Sequence, residues 1–340
     1  MKKDVYMIGV FPPPFGGVTV KNKLFLNVLQ RDKRVDVINI YEAKSKHILY
    51  FKLIYRCILA FISKSPIVFG LDSKRLKYIM RIESFFPNAM SQTTILVVGG
   101  VFPQIVEKDR FLKKAIFKVK DIWVETNMMK IEMNKKGYYN VKCFPNPRSE
   151  VGSCAPRCTS SSIPLKIVFF SKICKEKGVE DIIEVVRRLN NKGILFQMYF
   201  YGHIAKEFQE QFDNFIQEFE NVFYCGIFDG TNSSVYKKLN EFDILLFPTH
   251  CITEGIPGIL VEAKMAGLAV IASDQSFNAE IIREEEGEGY LLRGDYVSDM
   301  TEIIERFDLD RELLFKIKQA SYKSRKRYAI EAYTKMISCI

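Results

Sequence analysis

The sequence lacks features that would mark several classes of protein. No run of about 18 residues is apolar throughout, which argues against a membrane-spanning helix. The short amino-terminal apolar run follows Asp4 and ends in three prolines, so we interpret it as a first strand and not as a signal peptide. We therefore expect a cytoplasmic protein.

Cysteine and histidine show no pattern of a disulfide framework or a metal centre. The eight cysteines form no Cys-x-x-Cys pair, and the closest two, Cys154 and Cys158, stand in a Ser-rich segment. The three histidines are far apart in the sequence. We predict free thiols and no metal site.

Length and charge divide the chain into two parts. Its 340 residues, of which 48% are hydrophobic, are about twice what one domain usually holds, so we expect two hydrophobic cores. Residues 1–160 carry 28 Lys and Arg against 12 Asp and Glu, whereas residues 161–340 carry 22 against 28. The basic first half predicts a polyanionic partner: nucleic acid, an anionic membrane face or a phosphorylated substrate.

Apolar, β-rich runs alternate with helical segments along both halves. Runs that are apolar on both faces and separated by helices are typical of a parallel sheet covered on both sides. They lie at 5–11, 35–41, 94–100, 121–125, 141–144, 165–171, 195–202, 221–226, 242–249 and 268–274. We predict two doubly wound α/β domains, residues 1–150 and 165–325, joined by a Ser- and Pro-rich linker, residues 151–164, with a ligand cleft at the carboxyl ends of the strands.

The segment from residue 241 to 274 carries the strongest sign of chemistry. Pro257 and Gly258 stand where a helix should begin, which leaves the first amides, including that of Ile259, available to an anion. Glu254 lies just before this helix and Glu262 lies within it. Two carboxylates so placed could accept hydrogen bonds from hydroxyl groups at two points of one long ligand. The phosphates of that ligand would face the start of the helix.

With its flanking residues this segment resembles the Glu, seven residues, Glu signature of retaining GT-B glycosyltransferases of family four. Three further segments resemble that family, in its order: a glycine loop at 12–20 with Gly16 and Gly17, a Pro-Asn segment at 141–147, and a strand and Lys-Gly segment at 169–185 with Lys172 and Lys177. The resemblance covers the second half well and the first half more loosely. It implies the GT-B fold, in which two Rossmann-like domains face each other across a cleft.

The resemblance also implies a role for each residue. A sugar nucleotide would be held mainly by the second domain, with Glu262 on the ribose, Glu254 on the donor sugar, and Lys172 and Lys177 on the diphosphate. We identify no Asp-x-Asp motif of the metal-dependent transferase kind, so we expect a reaction without metal or further cofactor. Residues 326–340 would form a helix that returns to the first domain.

Each residue has a simpler interpretation as well. The glutamates alone could be a loop carboxylate and a solvated helix charge, the lysines surface charge, and Gly16 and Gly17 a tight turn. The sequence departs from the family at Lys172, where Arg is usual, and at Gly99 and Gly100, where many members carry a histidine. The acceptor-side catalytic group is therefore not identified.

Residues 47–64 predict a helix with Lys52 and Arg56 on one face and apolar side chains elsewhere. Such a helix either lies on an anionic membrane or is a core helix with a polar stripe, and we favour the second interpretation. Further basic clusters follow at 74–81 and 113–120. In the family that the chain resembles, such a first domain belongs to enzymes with polyprenyl- or lipid-linked acceptors at the inner membrane face.

The predicted activity is that of a retaining hexosyltransferase. It would move a sugar from a nucleoside diphosphate sugar, in the first instance a UDP-sugar, to a lipid-linked saccharide or a growing surface polysaccharide such as capsule or O-antigen. We expect it at the inner face of the cell membrane, without nucleic acid as a partner. The rival in another class is a non-enzymatic protein that binds membranes or nucleic acid on a degenerate GT-B scaffold. A phosphorylase of the same fold is disfavoured by the short length and the lack of a pyridoxal lysine segment.

Overall fold

The computed structural model describes residues 3–14, 16–45, 47–228 and 232–340, so Phe15 of the predicted glycine loop lies outside the described residues. The chain forms two compact units. Unit 1 comprises Met1–Arg148, Thr253–Ile256 and Ile330–Ile340, and unit 2 comprises Ser149–Ile252 and Pro257–Ala329. The segment predicted as a linker, residues 151–164, is thus counted with unit 2.

Strands and helices alternate along both units. The strands are β1 (Val5–Gly9), β2 (Val35–Asn39), β3 (Ile67–Gly70), β4 (Thr93–Leu96), β5 (Asp121–Val124), β6 (Val141–Cys143), β7 (Leu165–Phe170), β8 (Phe196–Tyr201), β9 (Val222–Tyr224), β10 (Ile244–Phe247), β11 (Ala269–Ser273) and β12 (Tyr290–Leu292). The α-helices are α1 (Gly17–Leu29), α2 (His47–Ile62), α3 (Ser73–Glu83), α4 (Pro87–Met90), α5 (Phe102–Lys108), α6 (Arg110–Ala115), α7 (Asn127–Lys135), α8 (Val179–Asn191), α9 (Gln209–Glu218), α10 (Asn232–Leu239), α11 (Gly258–Ala266), α12 (Asn278–Ile281), α13 (Tyr296–Leu309), α14 (Arg311–Ser324) and α15 (Thr334–Ser338).

Unit 1 is built on a parallel sheet with the strand order β2-β1-β3-β4-β5-β6. Every residue of β3, β4 and β5 is buried, as expected where helices cover both faces of a parallel sheet. Phe25 of α1 packs edge-on against both Trp123 and Phe144 in the core. The carboxyl-terminal helix α15 packs on α1 of the same unit.

Unit 2 repeats the architecture with the strand order β12-β11-β10-β7-β8-β9. The order reverses between β10 and β7, and in such sheets a ligand crevice forms outside the carboxyl ends of the strands at that point. Helix α8 places Val179, Ile182, Ile183, Val185, Val186 and Leu189 in the core. The predicted class, two doubly wound α/β bodies, is confirmed.

The sequence reasoning did not identify two of the strands that the structure describes. β3 has four residues, and β12 has three and lies at the edge of its sheet. Each is too short for periodicity to separate it from a buried turn or the end of a helix.

Helix α2 is where the residues predict it, but the favoured interpretation as a core helix is wrong for one of its faces. Cys57, Ala60 and Phe61 are buried, whereas seven apolar side chains are exposed: Tyr50, Phe51, Ile54, Tyr55, Ile58, Leu59 and Ile62. Arg56 is not part of a free basic stripe, because it pairs with Asp36 of β2. Among the described residues, no helix is both long and apolar enough to cross a bilayer.

Candidate functional site

Both predicted lysines, Lys172 and Lys177, lie at the carboxyl edge of the unit 2 sheet. Lys172 is exposed and follows the end of β7 by two residues. Lys177 is partly buried, and its ammonium lies over the ring of Phe247, the last residue of β10, at 5.5 Å from the ring centroid. Because β7 and β10 are paired, both lysines flank the point at which the strand order reverses.

The turn after Lys177 requires glycine at residue 178. Gly178 has a left-handed backbone, φ 74°, and a Cβ atom there would lie 2.1 Å from the carbonyl oxygen of Pro248. The backbone next to Lys177 therefore packs closely against Pro248, which follows β10 at the start of the loop toward α11. Glycine 178 thus fixes the position of the lysine relative to that loop.

The amino terminus of helix α11 is where the sequence predicts that an anion binds. The helix begins at Gly258, as predicted, and among the described residues no side chain caps it. Its first turn carries no acidic residue, and the amide of Leu260 already donates to the carbonyl oxygen of Pro257 at 3.2 Å. The earlier amides, those of Gly258 and Ile259, lie at the positive end of the helix dipole. Glu262, partly buried, lies one turn further along the same helix.

A buried polar cluster, which the sequence analysis did not predict, anchors helix α11 through its residue Lys264. The fully buried Lys264 ammonium donates to Glu288 Oε2 at 2.9 Å and to Ser324 Oγ at 2.7 Å. Arg327 also donates to Glu288 Oε2, at 2.6 Å. Burial lowers the pKa of Lys264 to about 8, although the charge of Glu288 acts in the opposite direction.

His250 supports the loop after β10. Its Nε2 lies 2.6 Å from Asp181 Oδ2, and its ring stacks on Tyr296 with centroids 5.1 Å apart. Its backbone amide donates to the carbonyl oxygen of Glu176 at 2.9 Å. These contacts fasten the loop to α8 and α13, which accords with leaving His250 out of the predicted catalytic residues.

Glu254 lies in unit 1, on the short segment Thr253–Ile256, although its neighbours on both sides in sequence belong to unit 2. Backbone hydrogen bonds join this segment to the rest of unit 1. The amide of Gly100 donates to the carbonyl oxygen of Thr253 at 3.1 Å. The amide of Ile256 donates to Glu125 Oε2 at 3.2 Å, and its carbonyl oxygen accepts from Asn146 Nδ2 at 3.0 Å. The two glutamates of the signature thus stand in different units.

The glycine loop of unit 1 is held by a threonine. Gly16 donates its amide to Thr19 Oγ1 at 3.0 Å, and the same hydroxyl donates to the carbonyl oxygen of Pro14 at 2.8 Å. Gly16 is extended, φ −171°, which any residue can adopt, and a Cβ atom on it would meet nothing within 4 Å. Backbone geometry therefore does not require glycine at residue 16. A ligand role for Gly16 and Gly17 stays a prediction.

The chain does contain one Asp-x-Asp triplet, around Leu309, at the junction of α13 and α14. Asp310 caps α14 by accepting from the amide of Leu313 at 2.8 Å, and Asp308 pairs with Arg311 at 2.6 Å. These carboxylates serve the helix junction. Within the described part of the chain, no group of three or more His, Cys, Asp or Glu is placed to hold a metal ion. All eight cysteines lie among the described residues, and none of them forms a disulfide there.

The two sheets and the carboxyl-edge site define a GT-B fold, the fold of a large class of glycosyltransferases. Residues 160–324, just under half of the chain, match the family described as glycosyl transferases group 1. Among curated proteins, EpsF of Bacillus subtilis (strain 168), described as a candidate glycosyltransferase, is 28% identical to this chain over 95 residues. That match spans 27% of this chain and only 23% of EpsF.

Solved structures show the same fold over the whole chain. Anabaena Alr3699/HepE, described in complex with UDP-glucose, is similar with a TM-score of 0.74 at 12% identity, covering 99% of this chain and 98% of that one. Sucrose-phosphate synthase from Thermosynechococcus elongatus has a TM-score of 0.77 at 11% identity, over 99% and 98% of the two chains. At these identities the likeness shows the fold alone.

Proposed function

We propose that the protein is a glycosyltransferase that uses a nucleoside diphosphate sugar as donor and retains the configuration of the anomeric carbon. The observation that carries this proposal is helix α11, whose uncapped amino terminus and Glu262 lie in the group 1 domain, at the carboxyl edge of the unit 2 sheet. In this proposal the helix start binds the diphosphate and Glu262 binds the ribose hydroxyls. Glu254 binds the donor sugar.

The proposed chemistry is stabilisation of the leaving group. As the bond between the anomeric carbon and the diphosphate oxygen breaks, negative charge grows on the nucleoside diphosphate. The acceptor hydroxyl oxygen bonds to the anomeric carbon and passes its proton to the departing diphosphate. In this proposal Lys172, Lys177 and the amides of Gly258 and Ile259 donate to the diphosphate as that charge develops. We propose that these groups suffice without a metal ion.

A uridine donor is the form that we propose to test first. Structures of the similar protein HepE are described as complexes with UDP and with UDP-glucose. The experiment compares the melting temperature of the protein with UDP, GDP, ADP and CMP compounds, because a ligand that binds the native state raises it. Sugar transfer is then measured, with and without a chelator, from sugar nucleotides that contain the nucleotide that stabilised the protein. Activity that is lost in the chelator and restored by magnesium or manganese would refute the metal-free mechanism.

Retention and acceptor class need their own measurements. The anomeric configuration of the product, read by NMR, must equal that of the donor if the reaction retains configuration. The KM for a lipid-linked saccharide acceptor should be much lower than the KM for the same saccharide without lipid. If no nucleotide stabilises the protein and no donor is consumed, the non-enzymatic alternative on the same scaffold is favoured instead.

We further propose that unit 1 binds the inner face of an anionic membrane through helix α2. Its exposed apolar face includes Phe51, Tyr55 and Ile62, each more than 60% exposed. Lys52 and Lys64 are exposed at this helix and just beyond its end, and the first half of the chain is strongly basic. Apolar side chains that enter the interface and lysines that face anionic headgroups together make a surface-binding helix.

Vesicle sedimentation tests the membrane proposal. Binding should rise with the anionic lipid fraction and fall with salt, because each basic residue near the surface contributes about 1 kcal/mol. The double variant Phe51→Asp and Ile62→Asp should bind at least about tenfold more weakly, since two apolar side chains no longer leave water. Leu309→Asp, at an 87% exposed apolar residue of unit 2, is the matched control and should bind like wild type. Equal binding to neutral and anionic vesicles would refute the electrostatic part.

A further inference from the structure

A buried ion pair in unit 1 connects the ends of three neighbouring strands. Lys21 of α1 has no exposed surface, and its ammonium donates to the carbonyl oxygens of Val97 and Phe144, at 2.9 and 3.3 Å, and to Glu125 Oε1 at 3.1 Å. These three acceptors directly follow β4, β6 and β5. An ammonium has three N–H donors, so each finds a partner. Burial lowers the pKa of Lys21, and the Glu125 carboxylate counteracts that effect.

The second oxygen of the Glu125 carboxylate faces two loops. Oε2 accepts from the amide of Gly99 at 3.2 Å and from the amide of Ile256 at 3.2 Å. The side chain is only 1% exposed, so water does not compete for this oxygen. One carboxylate therefore joins α1, the loop after β4 and the segment Thr253–Ile256.

Glu254 is held from both sides by these contacts. Before it, the carbonyl oxygen of Thr253 accepts from Gly100. After it, Gly255 lies so close to Glu125 that a Cβ atom would be 2.0 Å from Oε2, and Ile256 donates to the same oxygen. The segment lies outside the helices and strands. Its conformation therefore depends on acceptors and donors that unit 1 supplies.

Stability alone is a poor reason for such a pair. Removing two charges from water is costly, and an apolar pair of similar volume often stabilises a core equally well. An apolar pair, however, cannot accept the amides of Gly99 and Ile256. We propose that Lys21 and Glu125 are positioning residues: Lys21 orients the Glu125 carboxylate, which fixes the segment Thr253–Ile256 so that Glu254 faces the donor sugar. This inference rests on the proposed function for the role of Glu254 but not for the contacts.

The first test is amide hydrogen exchange of three variants. In Lys21→Met/Glu125→Leu, the apolar pair should preserve the fold while peptides containing 253–256 and 98–101 exchange at least about tenfold faster, since their buried acceptor is gone. In Lys21→Met/Glu125→Gln, the amide oxygen can still accept but the Lys21 ammonium no longer orients it, so protection should be only partly restored. Glu83→Gln, a change at another fully buried carboxylate of unit 1, is the matched control and should leave these peptides unchanged.

The second test separates positioning from a merely structural role. Turnover of the Leu-containing variant should fall by about a hundredfold, the scale of a misplaced reacting group, while its affinity for UDP alone stays within about twofold of wild type. The Gln-containing variant should recover part of the turnover, because it keeps the acceptor but lacks Lys21. Equal protection of 253–256 in the Leu-containing variant and wild type would overturn the proposal, as would unchanged turnover. If wild type transfers no sugar, the proposed function fails, and the exchange result still decides whether the pair holds the segment.

Discussion

The two glutamates of the signature stand on different kinds of support. Glu262 lies on helix α11, whose backbone hydrogen bonds are internal. This helix is anchored to the rest of unit 2 by the ion pair of Lys264 with Glu288. Glu254 lies on four residues without regular structure, and the backbone around it bonds to Gly100, Glu125 and Asn146 of unit 1. A helix brings its own rigidity, whereas an irregular segment takes its rigidity from its surroundings.

This difference has a consequence for mutation. Changes around α11 should alter nucleotide binding through local contacts of unit 2. Changes around the segment Thr253–Ile256 should alter turnover through residues that are distant in sequence, such as Lys21. Variants of residues in each unit can show whether the two supports are separate.

The largest effect is expected for Gly255→Ala. The new Cβ atom would lie 2.0 Å from Glu125 Oε2, so either the segment or the carboxylate must move. We expect turnover to fall by about a hundredfold or more, with nucleotide affinity retained, because the displaced group is Glu254. The control is Gly294→Ala in unit 2, where the nearest atom to the new Cβ is 4.0 Å away. A Gly255→Ala protein with wild-type turnover would show that the segment adapts freely.

Lys177→Ala should reduce turnover by roughly a hundredfold, the scale for deleting one preorganised group that stabilises developing charge. The residue is in unit 2, where the Gly178 turn and Phe247 fix its position. Lys175→Ala is the matched control, since its exposed ammonium pairs with Glu180 instead. Steady-state kinetics with the intact donor provides the measurement. Unaltered turnover in Lys177→Ala would remove this lysine from the site.

Glu262→Ala and Glu254→Gln should separate nucleotide binding from sugar binding. Loss of Glu262 should weaken the bare nucleoside diphosphate by about 1.5–3 kcal/mol, as for a hydrogen bond to a charged group. Glu254→Gln should leave that affinity nearly intact and lower turnover. Calorimetry with the bare nucleotide and with the intact donor distinguishes the two. Equal loss of bare-nucleotide affinity in both variants would show that the assignment of roles is wrong.

The sequence was sufficient for the fold class and for the residues at regular elements. Alternating apolar runs predicted both sheets, and Pro257 and Gly258 predicted the start of α11, because helix-start signals act over a few neighbouring residues. It was not sufficient for Lys21 and Glu125. They are 104 positions apart, and each looks like one more surface charge in a basic half. A charged residue within an otherwise apolar stretch was the one available sign of burial. It does not show which residue forms the ion pair.

Lys264 is a second residue that the sequence could not place, and its buried charge makes stability depend on pH. Its pKa is about 8 in the folded protein, against an ordinary value of 10.5. Between these values the unfolded chain binds more protons, so this group makes the folded state more stable as pH rises. From pH 8 to pH 10, wild type should gain about 2 kcal/mol relative to Lys264→Met.

Denaturant unfolding at both pH values measures that gain. Lys316→Met, at an exposed lysine of α14, is the control and should follow wild type between the two pH values. A constant difference between wild type and Lys264→Met would mean that Lys264 keeps its proton in the folded protein. The anchor of α11 would then be a full ion pair over this range.

The smallest effect is expected for Lys172→Arg. Lys172 is exposed behind β7, so the larger guanidinium meets no packing constraint, and it can bind two phosphate oxygens where the ammonium binds as a point charge. Turnover should stay within about threefold of wild type or rise. Lys172→Met, which keeps the length and removes the charge, should lower turnover by more than tenfold if the residue stabilises the leaving group. Wild-type turnover in both variants would assign the leaving-group charge to Lys177 and the start of α11 alone, and a large loss in Lys172→Arg would mean that the site accepts only the compact ammonium.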